Sequence, residues 1–227
     1  MKGFRTLCSF DPGGRPYRYL KGNARLASGP LVLVVNPAIG VRSVTELIAL
    51  AKSKPGNLLY GSTGLGSLLH FSAELFAQRA GIILTHVPYP GSPQIVTDLM
   101  AGRIAMSINI ASAMMGQIAA GQLTALATAA NKRASALPDV PTMAEVGIPD
   151  FDTSLWLGLM APTGTPRPVI EKLADAAHIA MQSPDAVETL RRLGYEPLEA
   201  GPDQFEAFIR SETIRWSAVA RAVGLKK

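Results

Sequence analysis

The feature that most constrains the fold is a regular alternation of short apolar runs and amphipathic stretches between residues 31 and 128. The first run, LVLVV at 31–35, is typical of a strand buried on both faces of a parallel sheet. After it, Ser43 and Glu46 form a capping-box pattern that starts a helix, and Pro55 with Gly56 ends it. Strands alternating with helices of about ten residues predict a doubly wound α/β sheet.

The alternation stops after Thr128, where Pro and turn-forming residues become frequent. Only a short helix at 142–146 and a strand at 155–160 are predicted before Pro166. Beyond it, apolar periodicity predicts three helices, with one strand at 195–198 between them. The predicted organisation has four parts: an irregular basic segment at 1–23, an α/β ligand-binding lobe at 24–137, a crossover connector at 138–166, and C-terminal helices of another lobe at 167–227.

Charge and composition exclude several classes of protein. Of the 22 Lys and Arg residues, six lie in residues 1–25 against one acid, Asp11, and the remaining chain has 16 of each sign. Because a nucleic-acid domain carries its charge on a folded face, we expect no nucleic-acid partner. The single cysteine, Cys8, excludes an internal disulfide. Residues 1–23 also contain no apolar run of the kind that a signal peptide requires.

The best candidate for a binding site is the glycine-rich loop at 61–67, between a predicted strand and a predicted helix. Glycines allow a ligand to approach the backbone closely, and a helix N-terminus offers free N–H groups and partial positive charge. These features suit a carboxylate or a phosphate. A tight turn followed by a capped helix would require the same residues without any ligand. Both interpretations, the anion-binding loop and the structural turn, stay open. The candidate residues of this loop are Gly61, Ser62, Thr63, Gly64, Gly66 and Ser67.

Three further residues are candidates because they follow predicted strands or begin the next helix. His70 lies in the first turn of the helix after the loop, where it either contacts an anion or orders the loop. Tyr89 and Asn109 follow the next two strands and are expected at the same sheet edge. His86 and His178 are expected to be structural. No two histidines have metal-ligand spacing, so we expect no metal and no cofactor.

Several segments, in the same order along the chain, resemble the substrate receptors of tripartite tricarboxylate transporters, also called the Bug family. The likeness runs from about Ala24 to Lys227. The segments that carry it are LVLVVNPAIGVRSVTELIALAKSKPGNLLYGSTGLGS, HVPYPGSPQIVTDLMAGRIAMS, ALPDVPTMAEVGIPDF and GLMAPTGTP.

The resemblance implies a non-enzymatic, extracytoplasmic solute-binding protein with a type II, periplasmic-binding-protein-like bilobal fold. Its two α/β lobes would close on a small organic carboxylate, and its partners would be the membrane subunits of the transporter. By resemblance, the second-lobe contacts would come from the loop at 61–67 with His70, joined by Tyr89 and the region of Asn109. The implied location is the periplasm.

This sequence also departs from the family pattern. Most strand–helix repeats of the first lobe are missing, so we expect a truncated form with one complete lobe. The helices beyond Pro166 would then expose an apolar patch, leaving them poorly supported or paired in a homodimer. We interpret the turn Asp11-Pro12-Gly13-Gly14 as a coincidental match to the absent carboxylate loop. Four departures favour a ligand with an apolar or aromatic body: Leu65, Leu69, Pro90 and Ala105.

A binding protein without catalysis is the leading hypothesis. The alternative from another class is an α/β enzyme that uses the loop at 61–67 for a phosphate or an acyl group. No Gly-x-Ser-x-Gly elbow is present to support a serine nucleophile. An intracellular effector-sensing domain is the third hypothesis and ranks last, because residues 1–30 do not form a DNA-binding helix-turn-helix.

Overall fold

The computed structural model describes residues 20–222 and residue 224, in two compact units. Unit 1 combines the described residues up to Ser28 with those from Trp156 onward, and unit 2 is Gly29–Leu155. Unit 2 therefore extends past the predicted lobe end at residue 137 and contains the first part of the predicted connector. Cys8 and the turn at 11–14 lie outside the described residues.

The elements alternate as the sequence predicts between residues 31 and 128. The strands are β1 (Leu20–Gly29), β2 (Leu31–Val35), β3 (Leu59–Ser62), β4 (Thr85–Pro88), β5 (Met106–Ile110), β6 (Thr124–Thr128), β7 (Leu155–Pro162) and β8 (Glu196–Ala200). The helices are α1 (Val44–Ser53), α2 (Leu68–Ala80), α3 (Ser92–Met100), α4 (Ala111–Ala119), α5 (Arg167–Met181), α6 (Pro184–Arg192) and α7 (Pro202–Ala222), with a 3₁₀ turn at Pro37–Ile39.

Unit 2 is built on a five-stranded sheet in the order β4-β3-β5-β2-β6. β3 runs parallel to β4 and β5, whereas β2 runs antiparallel to β5 and β6. All five residues of β2 are buried, as predicted, but the expectation that β2 belongs to a purely parallel sheet is wrong. An apolar run reports that a strand is covered on both faces, and it carries no information about strand direction.

The helices of unit 2 begin and end where local chemistry dictates. Ser43 accepts a hydrogen bond from the amide of Glu46 at the start of α1, as its capping pattern predicts. Ser67 caps α2 in the same way, and α2 ends at Gly81, which has a left-handed φ of 62°. The fully buried Phe76 fixes α2 in the core. Among the described residues, no helix has the length and apolarity needed to cross a membrane.

Unit 1 contains a three-stranded sheet in the order β7-β1-β8, with β1 and β8 antiparallel. The sequence did not predict β1, whose first four residues fall in the segment at 1–23. The helices α5–α7 therefore have sheet of their own, contrary to the expectation that this part contains helices with almost no sheet. Phe205 of α7 is fully buried, and a Cβ added at Gly158 of β7 would lie only 2.3 Å from its ring. Helix and sheet are thus in close contact.

Local structure differs from prediction at residues 142–146, where the predicted helix is a turn. Thr142 forms an isolated parallel bridge with Thr128, and the amide of Met143 donates to the carbonyl of Thr128. A capping-box arrangement is present at this turn, because Thr142 Oγ1 accepts from the amide of Glu145 while Glu145 Oε2 accepts from the amide of Thr142. The turn ends at Gly147, whose φ of 91° is left-handed.

Candidate ligand-binding site

Three loops meet at one edge of the unit 2 sheet. Because β3, β4 and β5 run in the same direction, their carboxyl ends lie side by side, and each leads into the N-terminus of a helix. The loops are joined by hydrogen bonds. The amide of Tyr89 donates to the carbonyl of Ser62 at 2.9 Å, and Ser92 Oγ donates to Asn109 Oδ1 at 3.0 Å. The predicted convergence on one sheet edge is therefore present within this unit.

The loop at 61–67 depends on glycine at specific positions. Gly64 and Gly66 have φ values of 106° and 75°, which side chains strongly disfavour. At Gly61 the limit is space, because a Cβ would lie 2.7 Å from the side chain of Ile104. The loop keeps residues 63–67 at least partly exposed, with Leu65 at 69%.

Helix N-termini supply the polar character of this edge. In α2, Ser67 Oγ accepts from the amide of His70, so the amides of Leu68 and Leu69 are left without an acceptor inside the helix. No side-chain cap hydrogen bond is present at the start of α3, whose N-cap is Gly91, or of α4, whose N-cap is Ile110. The amide of Ala111 in α4 already donates to the carbonyl of Pro30, and Pro93 has no amide to offer in α3. The other first-turn amides and the partial positive charge at these three helix starts suit an anion.

Three of the predicted site side chains lie beneath this surface. Ser62 and Asn109 are fully buried and His70 is 4% exposed. Asn109 lies within β5, not after the strand as predicted, and its Oδ1 accepts from Ser92 Oγ and from the amide of Ile110. These side chains hold the loops together, and their direct contact with a ligand stays a prediction.

His86 has a role that sequence analysis missed. Its Nε2 lies 2.6 Å from Ser62 Oγ, and its ring centroid is 4.4 Å from that of His70 and 5.0 Å from that of Tyr60. His86 lies opposite Tyr60 in the parallel ladder, so the contact depends on the pairing of β3 with β4. Alternation within β4 alone gives no signal for it, because the strand is only four residues long.

The histidine pair lies in surroundings that favour neutral imidazoles. Burial lowers the pKa of His70 below its usual range, against a smaller opposing effect of the Glu74 carboxylate. Burial also lowers the pKa of His86, with a further lowering from the neighbouring His70. Glu74 Oε1 accepts a hydrogen bond of 2.5 Å from the hydroxyl of Tyr60. Burial and this contact raise the pKa of Tyr60 above its usual range, so the phenol stays protonated.

Tyr89 presents its ring, rather than a free hydroxyl, to the site edge. Its hydroxyl donates to Asp98 Oδ2 at 2.9 Å, and Asp98 Oδ1 accepts from Arg103 at 2.7 Å. Burial and the Asp98 contact raise the pKa of Tyr89 to about 12, so its hydroxyl remains a donor near neutral pH. The ring also packs near Gly61, where an added Cβ would lie 3.3 Å from it.

The pair of Ser62 and His86 does not resemble an accessible nucleophile with its base. Ser62 is fully buried, and its Oγ is also within hydrogen-bond distance of the amide and the carbonyl of Gly64. The nearby carboxylate of Glu74 is bonded to Tyr60. Within residues 20–222, no group of three or more His, Cys, Asp or Glu side chains is arranged to hold a metal ion.

Comparison with known proteins decides the family. Residues 13–225 match the family described as "Tripartite tricarboxylate transporter family receptor". The chain belongs to this family. The Protein BugT of Bordetella pertussis is 41% identical to this family member over 197 residues, which are 87% of this chain and 60% of BugT. The chain thus spans less than two thirds of the length of that relative.

Several solved structures share the fold of this chain. A structure of R. palustris Rpa4515 with adipate has a TM-score of 0.84 at 32% identity, covering 96% of this chain and 73% of that protein. MatC from Rhodopseudomonas palustris with bound malate has a TM-score of 0.78 at 27% identity, covering 88% of this chain and 69% of MatC. A structure of the periplasmic binding protein BugD has a TM-score of 0.82 at 25% identity, covering 96% of this chain and 74% of BugD, so the fold is the periplasmic-binding-protein type that the resemblance implied.

Proposed function

We propose that this receptor-family chain binds a small organic carboxylate at the carboxyl ends of β3, β4 and β5. The observation that carries the proposal is the convergence of three helix N-termini, two of them without a side-chain cap. The carboxylate would accept hydrogen bonds from backbone amides of the loop at 61–67 and of the helix starts. Ser62, His70 and Asn109 would hold these amides in position from beneath.

The nature of the ligand follows from its relatives and from this loop. Rpa4515 and MatC were solved with the dicarboxylates adipate and malate. Leu65 is 69% exposed at the loop surface, and the aromatic ring of Tyr89 lies near Gly61 at the start of the same loop. These side chains favour a carboxylate with an apolar or aromatic body. Leu69 is buried and does not contribute to the exposed surface.

A thermal-shift screen of the chain tests this function. The probes are adipate, malate, citrate, benzoate and phthalate, with inorganic phosphate representing the enzyme alternative. A ligand at 100 times its dissociation constant adds about 2.7 kcal/mol of stability. For a chain of this size the melting midpoint should then rise by roughly 5–10 °C. A shift with one class of carboxylate supports the proposal. A shift with phosphate alone, or with none of the probes, contradicts it.

The partners and location that we propose follow from family membership. The ligand-loaded chain would act in the periplasm and deliver its carboxylate to the membrane subunits of a tripartite tricarboxylate-type transporter. A carboxylate that binds one conformation of the chain more tightly than another shifts the chain toward that conformation. We expect the membrane subunits to bind the carboxylate-loaded conformation, so their binding should depend on the carboxylate. Pull-down of the chain by reconstituted membrane subunits, with and without the carboxylate, checks this expectation.

A second copy of this chain is a further proposed partner, through the C-terminal helices. Helix α5 leaves Val169, Leu173 and Ile179 exposed to 46%, 40% and 71%. A homodimer would cover such apolar side chains. We expect light scattering to give the mass of a dimer at high protein concentration and of a monomer for Leu173→Glu. A wild-type chain that stays monomeric up to the solubility limit contradicts the homodimer.

A further inference from the structure

We propose that His70 is a positioning residue whose neutral imidazole holds the loop at 61–67 in its ligand-binding conformation, and that protonation of this imidazole releases the loop. The loop equilibrium is a property of the chain itself. Its link to affinity rests on the proposed function, because only then does the loop carry the amides that contact the carboxylate.

A hydrogen bond joins the loop at 61–67 to the imidazole ring of His70. The amide of Gly66 donates to Nδ1 of His70 at 3.3 Å. Since an N–H donates only to a nitrogen that carries no proton, Nδ1 is unprotonated in this arrangement. A charged imidazolium has a proton on both ring nitrogens, so its Nδ1–H would oppose the Gly66 N–H. Protonation therefore removes this bond at the C-terminal part of the loop.

The surroundings of the ring disfavour a charge on it in this conformation. His70 is 4% exposed and lies in the first turn of α2, where the helix is partially positive. The titratable groups that face it are Tyr60 from β3, His86 from β4 and Glu74 from its own helix. β5, which also packs on α2, has no titratable side chain.

These neighbours also limit how far the Glu74 carboxylate can stabilise a positive charge on the His70 ring. The imidazole of His86 lies 4.4 Å from that of His70, so two charged rings would repel each other. Glu74 is the one facing carboxylate among the described groups, and it already accepts from Tyr60. Proton uptake by the pair is thus expected to favour a different loop arrangement, in which the ring reaches solvent and the Gly66 amide is free.

The sign of the pH dependence follows from these contacts. Burial lowers the pKa of His70 in the ordered conformation, so that conformation binds fewer protons than the released one. The ordered loop is therefore fully favoured above the ordinary histidine pKa of about 6.5 and is lost progressively as the pH falls below it. Carboxylate affinity should decline over the same interval.

The experiment uses the whole chain and reads the loop directly. Hydrogen-exchange protection of the Gly66 amide, measured by NMR and corrected for intrinsic exchange, should fall about tenfold between about pH 7.5 and 5.5. His70→Asn places an amide oxygen near the position of Nδ1 without a titrating group there. Any pH dependence that remains comes from His86, so the fall in Gly66 protection should be clearly smaller than in wild type. His178→Asn in α5 is the matched control and should behave like wild type.

Affinity for adipate, measured on the same three proteins, separates this proposal from the proposed function. Because the ligand titrates identically in all samples, the ratio of the wild-type affinity to the His70→Asn affinity at each pH reports only the titration of the protein. A ratio that falls about tenfold toward acid supports the positioning role. Equal pH profiles, or Gly66 protection that does not change with pH in wild type, overturn it. A pH-dependent loop in a chain that binds none of the carboxylates contradicts only the proposed function.

Discussion

Alanine at position 64 should weaken carboxylate binding by about tenfold or more while leaving the fold intact. The φ of Gly64 is 106°, and a side chain there costs about 1–3 kcal/mol. The variant chain can avoid this strain by relaxing the loop when no ligand is present. Binding must then restore the strained conformation, and each 1.4 kcal/mol required is about a tenfold loss of affinity. Calorimetric titration with the carboxylate found in the thermal screen measures this loss.

Gly81→Ala is the matched control for this prediction. Gly81 also has a left-handed φ, 62°, and an added Cβ would meet nothing within 4 Å, but it ends α2 at the opposite end from the loop. It should lower the melting temperature, because the end of α2 needs this conformation with or without a ligand, and it should leave the affinity unchanged. If Gly64→Ala and Gly81→Ala bind equally well, the loop at 61–67 is not part of the binding surface.

Phe205→Ala should destabilise unit 1 by about 3–5 kcal/mol, the cost typical of deleting a buried aromatic side chain. The ring is fully buried, lies against Gly158 and Gly22 of the sheet, and meets the indole of Trp156 edge-on at 5.4 Å. A loss of this size is a large fraction of the stability of an ordinary domain.

The two tryptophans make this prediction measurable. Trp156 and Trp216 both belong to unit 1, so tryptophan fluorescence during urea unfolding reports that unit. Phe208→Ala is the matched control, because the Phe208 ring is only partly buried and also contacts Trp156. Phe208→Ala should lower the free energy of unfolding of unit 1 clearly less than Phe205→Ala does. Equal losses for the two variants, or less than about 1 kcal/mol for Phe205→Ala, would contradict the described packing of α7 on the sheet.

The sequence predicted the elements of unit 2 because their signals are local. Ser43 caps α1 as its capping-box pattern predicts, and Ser67 and Gly81 act over the same short range at the two ends of α2. The direction of β2 was mispredicted because hydrophobicity does not encode strand direction. β1 was missed because its burial does not alternate, and the need for glycine at position 22 arises from tertiary contact with the side chains of Phe205 and Ile209.

The site could be predicted only in outline. Glycine spacing and strand ends located the three loops, since both are features of the sequence. Which side chains face the surface depends on pairing between distant strands. Ser62 and His86 are 24 residues apart and become neighbours only when β4 pairs with β3. Asn109 was expected after its strand, but β5 extends to Ile110 and draws its side chain into the sheet.

The central claim is that a carboxylate binds at the carboxyl ends of β3, β4 and β5. An NMR titration of the isotope-labelled chain with adipate, and with malate in parallel, tests it most directly. We expect the largest changes of amide chemical shift at residues 63–69 and at the starts of α3 and α4, saturating together with one dissociation constant. Saturable shifts confined to other parts of the chain, with these amides unmoved, would contradict the claim.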